Sequence, residues 1–261
     1  MSNQKIAQVA QVLDDAARHA AEVDQFAAGH FTLEEAYRIQ RASIERRVQR
    51  GESMVGIKLG FTSRAKMIQM GVDSLIWGLL TDRMVEEEGA VVDLARYIHP
   101  RVEPEVCFVT RRVIDGPLTA LEAVDYLEAV APAMELIDSR YRNFKFTLED
   151  VVADNCSSAG LVVGPWSRNF DALSNAGVRM QVNGRNVQVG STAAILGQPL
   201  RSIVQASRLL HGAEMSLPAG SLIMAGAATA AEALAPGVTV ECHIGSGATS
   251  LGSVMFHTAA A

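Results

Sequence analysis

The chain has 261 residues, of which 49% are hydrophobic and 20% charged, so it can fold as a globular protein with a sizeable core. Its net charge of -6 is spread along the sequence, and no basic stripe with interleaved aromatic residues points to a nucleic-acid partner. The sequence contains no apolar run of about 18 residues that would predict a membrane-spanning helix. Its N-terminus lacks the basic stretch followed by an apolar stretch that is typical of a signal peptide. The three cysteines are far apart and form no zinc pattern, so we expect free thiols in a reducing cytoplasm.

The first part of the chain, residues 1–52, predicts a helical segment. Apolar residues recur at helical spacing between Ile6 and Leu13. A second helix is expected after Thr32, whose hydroxyl can cap it while Glu35 completes a capping box. Gly51 is the expected stop of this helix.

Beyond Gly51 strands dominate the pattern. We expect strands at 54–61, 76–85, 101–111, 132–141, 160–164, 221–226 and 237–257, and helices at 63–72, 119–131, 147–155 and 201–214. Strands do not alternate strictly with helices, which disfavours a doubly wound parallel sheet. The predicted fold class is therefore α+β, a mixed and mostly antiparallel β core decorated by helices.

Two hairpins are expected in the second half of the chain. Alternating runs flank Asn183-Gly184 within 178–190, and this dipeptide favours a type I′ turn. "GSGATSLG", residues 245–252, resembles a phosphate loop but lacks the Walker lysine and the Rossmann spacing. It is interpreted as a loop between two strands.

"PRVEPEVCFV", residues 100–109, places Glu103 and Glu105 in an apolar strand. Side chains two residues apart share one face of a strand, about 6.6 Å apart along it. Two carboxylates about 4 Å apart repel by ~4 kcal/mol at an effective dielectric near 20, and a hard dication between them removes that cost. The alternative is a solvated strand face. Pro104 predicts an edge or bulged strand, because proline cannot donate to a ladder.

A third acid, Glu135, lies in "APAMELIDS", another apolar strand candidate. A buried carboxylate needs a partner, because burying an unpaired charge is costly. Three carboxylates without a nearby His or Cys predict an oxygen-rich site for Mg²⁺ or Mn²⁺ rather than zinc.

Lys58 lies on the apolar, glycine-flanked segment "VGIKLGF". It either extends its ammonium into water or places a cation against a substrate carboxylate or a developing oxyanion. "ADNCSSAG" clusters Asp154, Asn155, Ser157 and Ser158 between a helix and a strand, and by composition it is a helix-ending turn. The six histidines show no ligand spacing.

Five stretches, in this order, resemble the hydratase/decarboxylase branch of the fumarylacetoacetase-like superfamily, found in meta-cleavage breakdown of catechols. They are "GIKLGFTS", "GVDSLIWGLLTDRM", "PRVEPEVCFV", "AMELIDSRYRNFKFTLEDVVADNCSSAGLVVG" and "IMAGAATAAEAL". The resemblance spans residues 5–257. It implies a fumarylacetoacetase C-terminal-like mixed β-roll as the catalytic domain over 53–261, preceded by the N-terminal helical segment 1–52.

The resemblance also implies roles for particular residues. Glu103, Glu105 and Glu135 would bind Mg²⁺ or Mn²⁺, and Lys58 would be a catalytic residue facing the substrate. The substrate would be contacted by Asp154, Ser157 and Ser158 and covered by the segment 63–84, including Trp77 and Leu79. The acid–base dyad of the superfamily's hydrolases has no evident counterpart, which argues against C–C hydrolysis.

The stretch "DSRYRNFKFTLEDVVADN" is similar to the decarboxylase form of this branch. The implied activity is metal-dependent decarboxylation of the dicarboxylate 2-oxo-3-hexenedioate (4-oxalocrotonate) to 2-hydroxypenta-2,4-dienoate and CO₂. An apolar wall from Trp77 and Leu79 would favour neutral CO₂ over a carboxylate. The alternatives are hydration of 2-oxopent-4-enoate (vinylpyruvate) and a non-catalytic role stabilising a hydratase complex. A vinylpyruvate hydratase and further copies of the chain are the expected protein partners.

Overall fold

The computed structural model describes residues 1–63, 67–68, 74–246 and 249–260. Its α-helices are α1 (Asn3–His19), α2 (Leu33–Gln49), α3 (Leu148–Ala153) and α4 (Leu200–Gly212). Its strands are β1 (Met54–Gly60), β2 (Ile76–Thr81), β3 (Val85–Glu86), β4 (Val91–Val92), β5 (Arg101–Thr110), β6 (Leu127–Ile137), β7 (Ser158–Val163), β8 (Gly177–Val182), β9 (Arg185–Ser191), β10 (Leu222–Ala227), β11 (Glu232–Ala233), β12 (Thr239–Ser246) and β13 (Thr249–Thr258). Short 3₁₀ turns lie at Asp82–Met84, Leu94–Arg96, Ala123–Tyr126, Arg142–Phe144, Asn155–Ser157, Phe170–Leu173 and Thr192–Ala194.

Two sheets form the β core. The first has the order β2-β1-β10-β5-β6-β7-β3, with β11 also paired to β5, and the second has the order β4-β13-β12-β8-β9. Three strand pairs in these sheets are parallel: β1–β10, β3–β7 and β4–β13. The other pairs are antiparallel, so the predicted mixed and mostly antiparallel β core is confirmed. None of the helices in the described part of the chain combines the length and the apolar character that a membrane span requires.

The N-terminal helices pack directly on the β core. Thr32 Oγ1 accepts from the Glu35 N–H, and the Glu35 carboxylate accepts from the Thr32 N–H, so the predicted capping box forms. Gln40 of α2 donates from Nε2 to the carbonyls of Trp77 and Val152, both at 3.0 Å. Apolar residues of α1, α2 and α3 share one buried cluster, so residues 1–52 do not stand apart from the rest.

Most of the expected elements form, and the second half of the predicted helix 119–131 is the main error. The contacts between Thr119 and Glu122 are present, but only the turn Ala123–Tyr126 follows them. From Leu127 onward the chain is strand β6, paired with β5 along its length. Because pairing in a buried sheet outweighs local helix propensity, the alanine-rich sequence misled the prediction.

The environment of Pro104 also differs from the prediction. Strand β5 lies between β10 and β6, so it is a central strand and not an edge. The irregularity lies in the neighbour β10, where the register with β5 shifts between Met224 and Ala227. The Pro104 carbonyl accepts from the Ala228 N–H just beyond that shift. The missing N–H of proline is thus accommodated beside a bulge in the partner strand.

The expected hairpins are confirmed within the described residues. Strands β8 and β9 pair across Asn183 and Gly184, whose φ angles are 50° and 74°. Strands β12 and β13 pair up to Ser246 and Thr249. The predicted helix 63–72 lies mostly outside the described residues.

Candidate metal centre and active-site cavity

Three glutamates converge on one face of the first sheet. Glu103 and Glu135 are directly opposite each other in the antiparallel pair β5–β6. Glu105 follows two residues after Glu103, so strand periodicity turns it to the same face. One carboxylate oxygen from each of the three lies within 4.8 Å of the others, and all three residues are buried. The alternative of a solvated strand face is therefore excluded.

Lys58 supplies the cation of this cluster. Its Nζ lies 3.1 Å from Glu135 Oε2, and the residue is only 4% exposed, so the ammonium does not reach bulk water. Burial by itself would lower the pKa of Lys58, but the negative charges around it, with that of Glu135 the largest, together outweigh burial and raise the pKa. In the protein alone, Lys58 is a protonated ammonium held against the acids.

The electrostatics of the cluster fit a divalent cation. Burial raises the pKa of Glu105 well above its usual value, and the charge of Glu135 raises it further. Burial also raises the pKa of Glu135, although Lys58 opposes this. Three ionised acids and one ammonium leave a formal charge of -2, which one dication neutralises.

Unsatisfied oxygen atoms give an independent sign of the same fit. Oε1 of Glu105 and Oε1 of Glu135 are buried and have no hydrogen-bond partner among the described residues. Such buried acceptors are rare in folded proteins unless water or an ion meets them. Oxygen-only ligands are the set that Mg²⁺ and Mn²⁺ prefer.

Gly226 holds one side of the acid cluster through its backbone. Its N–H donates to Glu105 Oε2 at 2.9 Å, which fixes that carboxylate. Its φ is +108°, and a Cβ there would lie 2.1 Å from Thr62 Oγ1. Only glycine allows the bulge of β10 to approach both Glu105 and Thr62 so closely.

A cavity of about 460 Å³ opens beside Glu103 and Lys58. Two further groups of side chains line the cavity. The first group is charged or polar, and the second is aromatic or aliphatic. The first group includes Gln25, Arg101, Lys145 and Ser157, and the second includes Phe61, Ile76, Ile137, Phe144, Phe146 and Val151. This volume suits a small organic anion.

Several cavity residues have left-handed backbone conformations. The φ angles are 57° at both Phe61 and Phe144, 54° at Cys156 and 58° at Ser157. Such conformations cost about 1–2 kcal/mol each for residues other than glycine. Their grouping around one cavity is typical of a functional site, where the surrounding structure maintains strained backbone.

The turn of residues 154–158 is placed by Asn155. Its side-chain Oδ1 accepts from the Leu79 N–H and its Nδ2 donates to the Leu79 carbonyl, both at 2.8 Å. Cys156 Sγ contacts the Trp77 carbonyl at 3.1 Å. A Cβ on Gly78 would lie 2.7 Å from the Asn155 carbonyl oxygen, so glycine is required for this approach.

The three predicted substrate-binding residues of this turn separate in the structure. Ser157 lines the cavity described above. Asp154 is buried in an ion pair with Arg140, and Ser158 lines a different cavity. Burial raises the pKa of Asp154 to about 6, although the Arg140 guanidinium opposes this shift. The roles of these residues stay predictions, and Ser157 is the one that the geometry places for direct contact.

Trp77 and Leu79 do not line the cavity, contrary to the apolar wall expected from the sequence. Lys58 pairs with Gly78 across β1–β2, so Gly78 shares the face of Lys58. The residues on either side of Gly78 therefore point to the opposite face, where Trp77 stacks on Tyr37 at 5.1 Å. The apolar part of the cavity comes instead from phenylalanines, notably Phe61, Phe144 and Phe146. The remainder of the expected cover, 64–66 and 69–73, lies outside the described residues.

The sequence contained signals for two residues of the site that had no predicted role, Arg101 and Gly78. Arg101 precedes Glu103 by two positions, so strand periodicity places it on the face of the acids. Gly78 interrupts the apolar run of β2, which signals a close backbone approach. No signal identifies Lys145, because its place beside the cavity depends on how the 142–146 segment returns to the sheet.

Comparison with known proteins gives consistent matches. The fumarylacetoacetate (FAA) hydrolase C-terminal family model matches residues 73–257. A 4-oxalocrotonate decarboxylase of Pseudomonas sp is 52% identical over 97% of this chain and 98% of its own length. A 2-keto-4-pentenoate hydratase of Paraburkholderia xenovorans (strain LB400) is 37% identical over 81% of this chain and 80% of its own.

Among solved structures, the 4-oxalocrotonate decarboxylase from Pseudomonas putida G7, complexed with magnesium and adipate, matches with a TM-score of 0.93. The identity is 35%, and the match covers 99% of this chain and 98% of that one.

Proposed function

This chain belongs to the fumarylacetoacetate hydrolase family, and we propose that it is one of its metal-dependent decarboxylases, releasing CO₂ from 2-oxo-3-hexenedioate. The family resemblance read from the sequence is thereby confirmed, as is the α+β fold. The identity is higher to the decarboxylase of Pseudomonas sp, at 52%, than to the Paraburkholderia hydratase, at 37%. The carboxy-lyase activity is therefore favoured over hydration.

One observation carries the proposal: a buried trio of glutamates from two strands, with Lys58 against one of them, adjoins a cavity that Glu103 and Lys58 line. A non-catalytic subunit has no need to keep three acids in apolar strands, because each buried charge is costly. A catalytic role explains why the cluster persists.

We propose that Glu103, Glu105 and Glu135 hold Mg²⁺. Their buried, unpaired oxygens and the formal charge of the cluster fit this ion. When bound, the ion supplies Lewis acidity to the 2-oxo oxygen of the substrate. The magnesium in the related structure from Pseudomonas putida G7 supports the choice of metal, and Mn²⁺ has the same ligand preference.

The other residues of the cavity would bind and orient the substrate. Lys58 holds a proton on Nζ and places positive charge at the end where negative charge develops. Arg101 and Lys145 supply cations that recognise a second carboxylate. Phe61, Phe144 and Phe146 exclude water from the carbon chain between them.

The reaction breaks the C5–C6 bond of the substrate. Its electron pair forms the C4–C5 double bond, and the pair of the C3–C4 alkene moves to C2–C3, so that charge collects on the 2-oxo oxygen. Protonation of that oxygen gives 2-hydroxypenta-2,4-dienoate. Each 1.36 kcal/mol of selective stabilisation of this charge by the site is worth about tenfold in rate.

The decisive assay offers the purified chain two substrates in the presence of Mg²⁺. We expect CO₂ release from 2-oxo-3-hexenedioate and no hydration of 2-hydroxypenta-2,4-dienoate. Hydration without CO₂ release would instead make the chain a vinylpyruvate hydratase. If neither reaction occurs with the chain alone, but the chain stabilises a hydratase, the non-catalytic alternative is correct.

We further propose that the chain assembles with a vinylpyruvate hydratase in the cytoplasm. An unstable dienol product gives a physical reason for direct transfer to a second enzyme, and the buried free thiols of Cys107, Cys156 and Cys242 suit a reducing compartment. Homo-oligomers are also proposed. Co-purification followed by mass measurement tests the assembly.

Within the chain, we propose 53–261 as the catalytic domain and 1–52 as a helical segment that packs on it through α2.

A further inference from the structure

A second cavity, of about 510 Å³, shares no lining residue with the active-site cavity. The turn 154–158 separates the two, because Ser157 lines the first and Ser158 lines the second. The walls of the second cavity come from the C-terminal ends of α1 and α2, the loops before β3 and β5, and the start of β7. Six arginines line it: Arg18, Arg47, Arg50, Arg83, Arg96 and Arg140.

The acids in this cavity are fewer than the arginines, and they already have partners. Three line the cavity, namely Asp14, Glu52 and Asp138. Asp14 accepts from Arg46 and Arg50, Glu52 accepts from Arg47 and Thr81, and Asp138 accepts from the N–H groups of Ile98 and His99. The formal charge of these lining arginines and acids is +3, and Glu86 and Asp154, which pair with Arg96 and Arg140, reduce it to +1.

The groups that lack partners in this cavity are hydrogen-bond donors. The guanidinium groups of Arg18 and Arg83 form no ion pair or hydrogen bond with any described residue. The hydroxyl of Tyr97 is buried and also has no partner there. A buried hydroxyl without a partner costs about 1–3 kcal/mol, which a bound acceptor removes.

We propose that this second cavity is a binding site for a small dianion, a phosphate group or a short dicarboxylate. Planar guanidinium groups match the oxygens of both ligand types in bidentate geometry. Two unpaired guanidinium groups and the unpaired Tyr97 hydroxyl together define an acceptor with several oxygens and at least two charges. The volume of about 510 Å³ accommodates a small molecule rather than a folded partner.

Arg140 forms the inner wall of this site and connects it with the catalytic turn. Its guanidinium is paired with Asp154, and it donates to the Ser158 carbonyl at 3.4 Å. A dianion in the cavity would therefore contact the turn that carries Ser157 into the active-site cavity. The site is nevertheless distinct from the active site, because the two sets of lining residues do not overlap.

Isothermal titration calorimetry with inorganic phosphate and, separately, succinate tests the proposal on the intact chain. We expect at least one of the two to saturate a single site in the second cavity. The double variant Arg18→Gln/Arg83→Gln should raise its Kd by about tenfold or more, equivalent to about 1.4 kcal/mol. Both residues are exposed and make no ion pair, so circular dichroism should show an unchanged fold. The single variant Arg83→Gln should give a smaller shift in the same direction.

Lys145→Gln is the matched control, because it removes a cation that lines only the active-site cavity. It should leave the Kd within about twofold of the wild-type value. Binding that is weakened by Lys145→Gln and not by the double variant belongs to the active site and overturns the proposal. The absence of saturable binding by both anions at millimolar concentration also overturns it. The separate titrations with phosphate and succinate show which of the two anions the site binds. Neither result depends on the decarboxylase activity of the chain.

Discussion

Asn155 forms two hydrogen bonds with the backbone of Leu79, one to the N–H and one to the carbonyl, each 2.8 Å long. Strand β2 lies at the end of the order of the first sheet, so the amide occupies the place of a neighbouring strand. The same turn has left-handed backbone at Asn155, Cys156 and Ser157. The side-chain amide thus holds a strained turn against the sheet and fixes the position of Ser157 in the cavity.

Asn155→Asp should disrupt this attachment, because it replaces the Nδ2 donor with an oxygen that faces the Leu79 carbonyl. The loss of a buried hydrogen bond predicts a fall of about 1–3 kcal/mol in the free energy of unfolding. We expect turnover of 2-oxo-3-hexenedioate to fall at least about tenfold, because misplaced contacts in a catalytic site cost rate steeply. Urea denaturation and CO₂ release measure the two effects.

Asn183→Asp is the control for this substitution. Asn183 is an exposed turn residue whose Oδ1 accepts from the Thr239 N–H, and aspartate keeps that acceptor. Its effect should stay within about 0.5 kcal/mol, with wild-type turnover. Unchanged turnover in Asn155→Asp as well would show that the turn does not need this attachment.

Glu105→Gln should stabilise the protein in the absence of metal and weaken its stabilisation by Mg²⁺. In EDTA the variant loses a buried charge and its repulsion with Glu135, and Gln can still accept from the Gly226 N–H. We expect Tm to rise by about 2–4 °C, which is about 1 kcal/mol for a chain of this size. With Mg²⁺ the variant should lose at least half of the stabilisation that the wild type gains, together with its activity.

Glu88→Gln is the matched control, because Glu88 is exposed and lies outside the acid cluster. Its Tm should match the wild type in EDTA and in Mg²⁺. Equal gains in Tm from Mg²⁺ in the wild type and in Glu105→Gln would contradict the assignment of Glu105 as a metal ligand. Differential scanning fluorimetry at a fixed protein concentration gives the comparison.

The sequence was informative where the chemistry follows strand periodicity. Glu103 and Glu105 are two residues apart, so their common face was predictable, and burial in apolar segments identified Glu135 and Lys58 as unusual. The direct pairing of Glu103 with Glu135 was not predictable, because it depends on the register of β5 against β6.

The sequence was misleading where tertiary contacts decide the outcome. Residues 127–131 have helix-favouring alanines but form a strand, because β5 pairs with them. Trp77 and Leu79 face away from the cavity. Their orientation follows from the pairing of Gly78 with Lys58, which the sequence does not show. The separation of Ser157 and Ser158 into two cavities likewise follows from the left-handed backbone of the turn.

Lys58→Met should make the chain dependent on Mg²⁺ for stability. Methionine keeps much of the side-chain volume but leaves Glu135 without its cation, and removal of one partner of a buried ion pair costs about 3–5 kcal/mol. Bound Mg²⁺ restores part of this loss, so the gain in Tm from Mg²⁺ should exceed that of the wild type. We expect turnover to fall at least about 100-fold in saturating Mg²⁺.

Lys5→Met, an exposed position on α1, is the control for loss of a lysine charge. It should change neither the response to Mg²⁺ nor turnover. If Lys58→Met turns over at the wild-type rate while its circular dichroism is unchanged, Lys58 has no catalytic role.

The final prediction concerns stability in acid and depends on Asp14. Burial would raise the pKa of this carboxyl, but hydrogen bonds and charges from Arg50 and Arg46 outweigh it and hold the pKa below its usual value. A carboxyl with a lowered folded pKa stabilises the protein above its unfolded value, about 3.9, and this stabilisation is lost as the pH falls through the folded pKa. Asp14→Asn should therefore cost about 1–2 kcal/mol at pH 7, near the low end because both arginines are partly exposed. Below about pH 4 the two proteins should begin to converge in urea unfolding, whereas the exposed control Asp115→Asn should track the wild type throughout. A constant gap down to pH 3 would contradict the ionised pairing of Asp14.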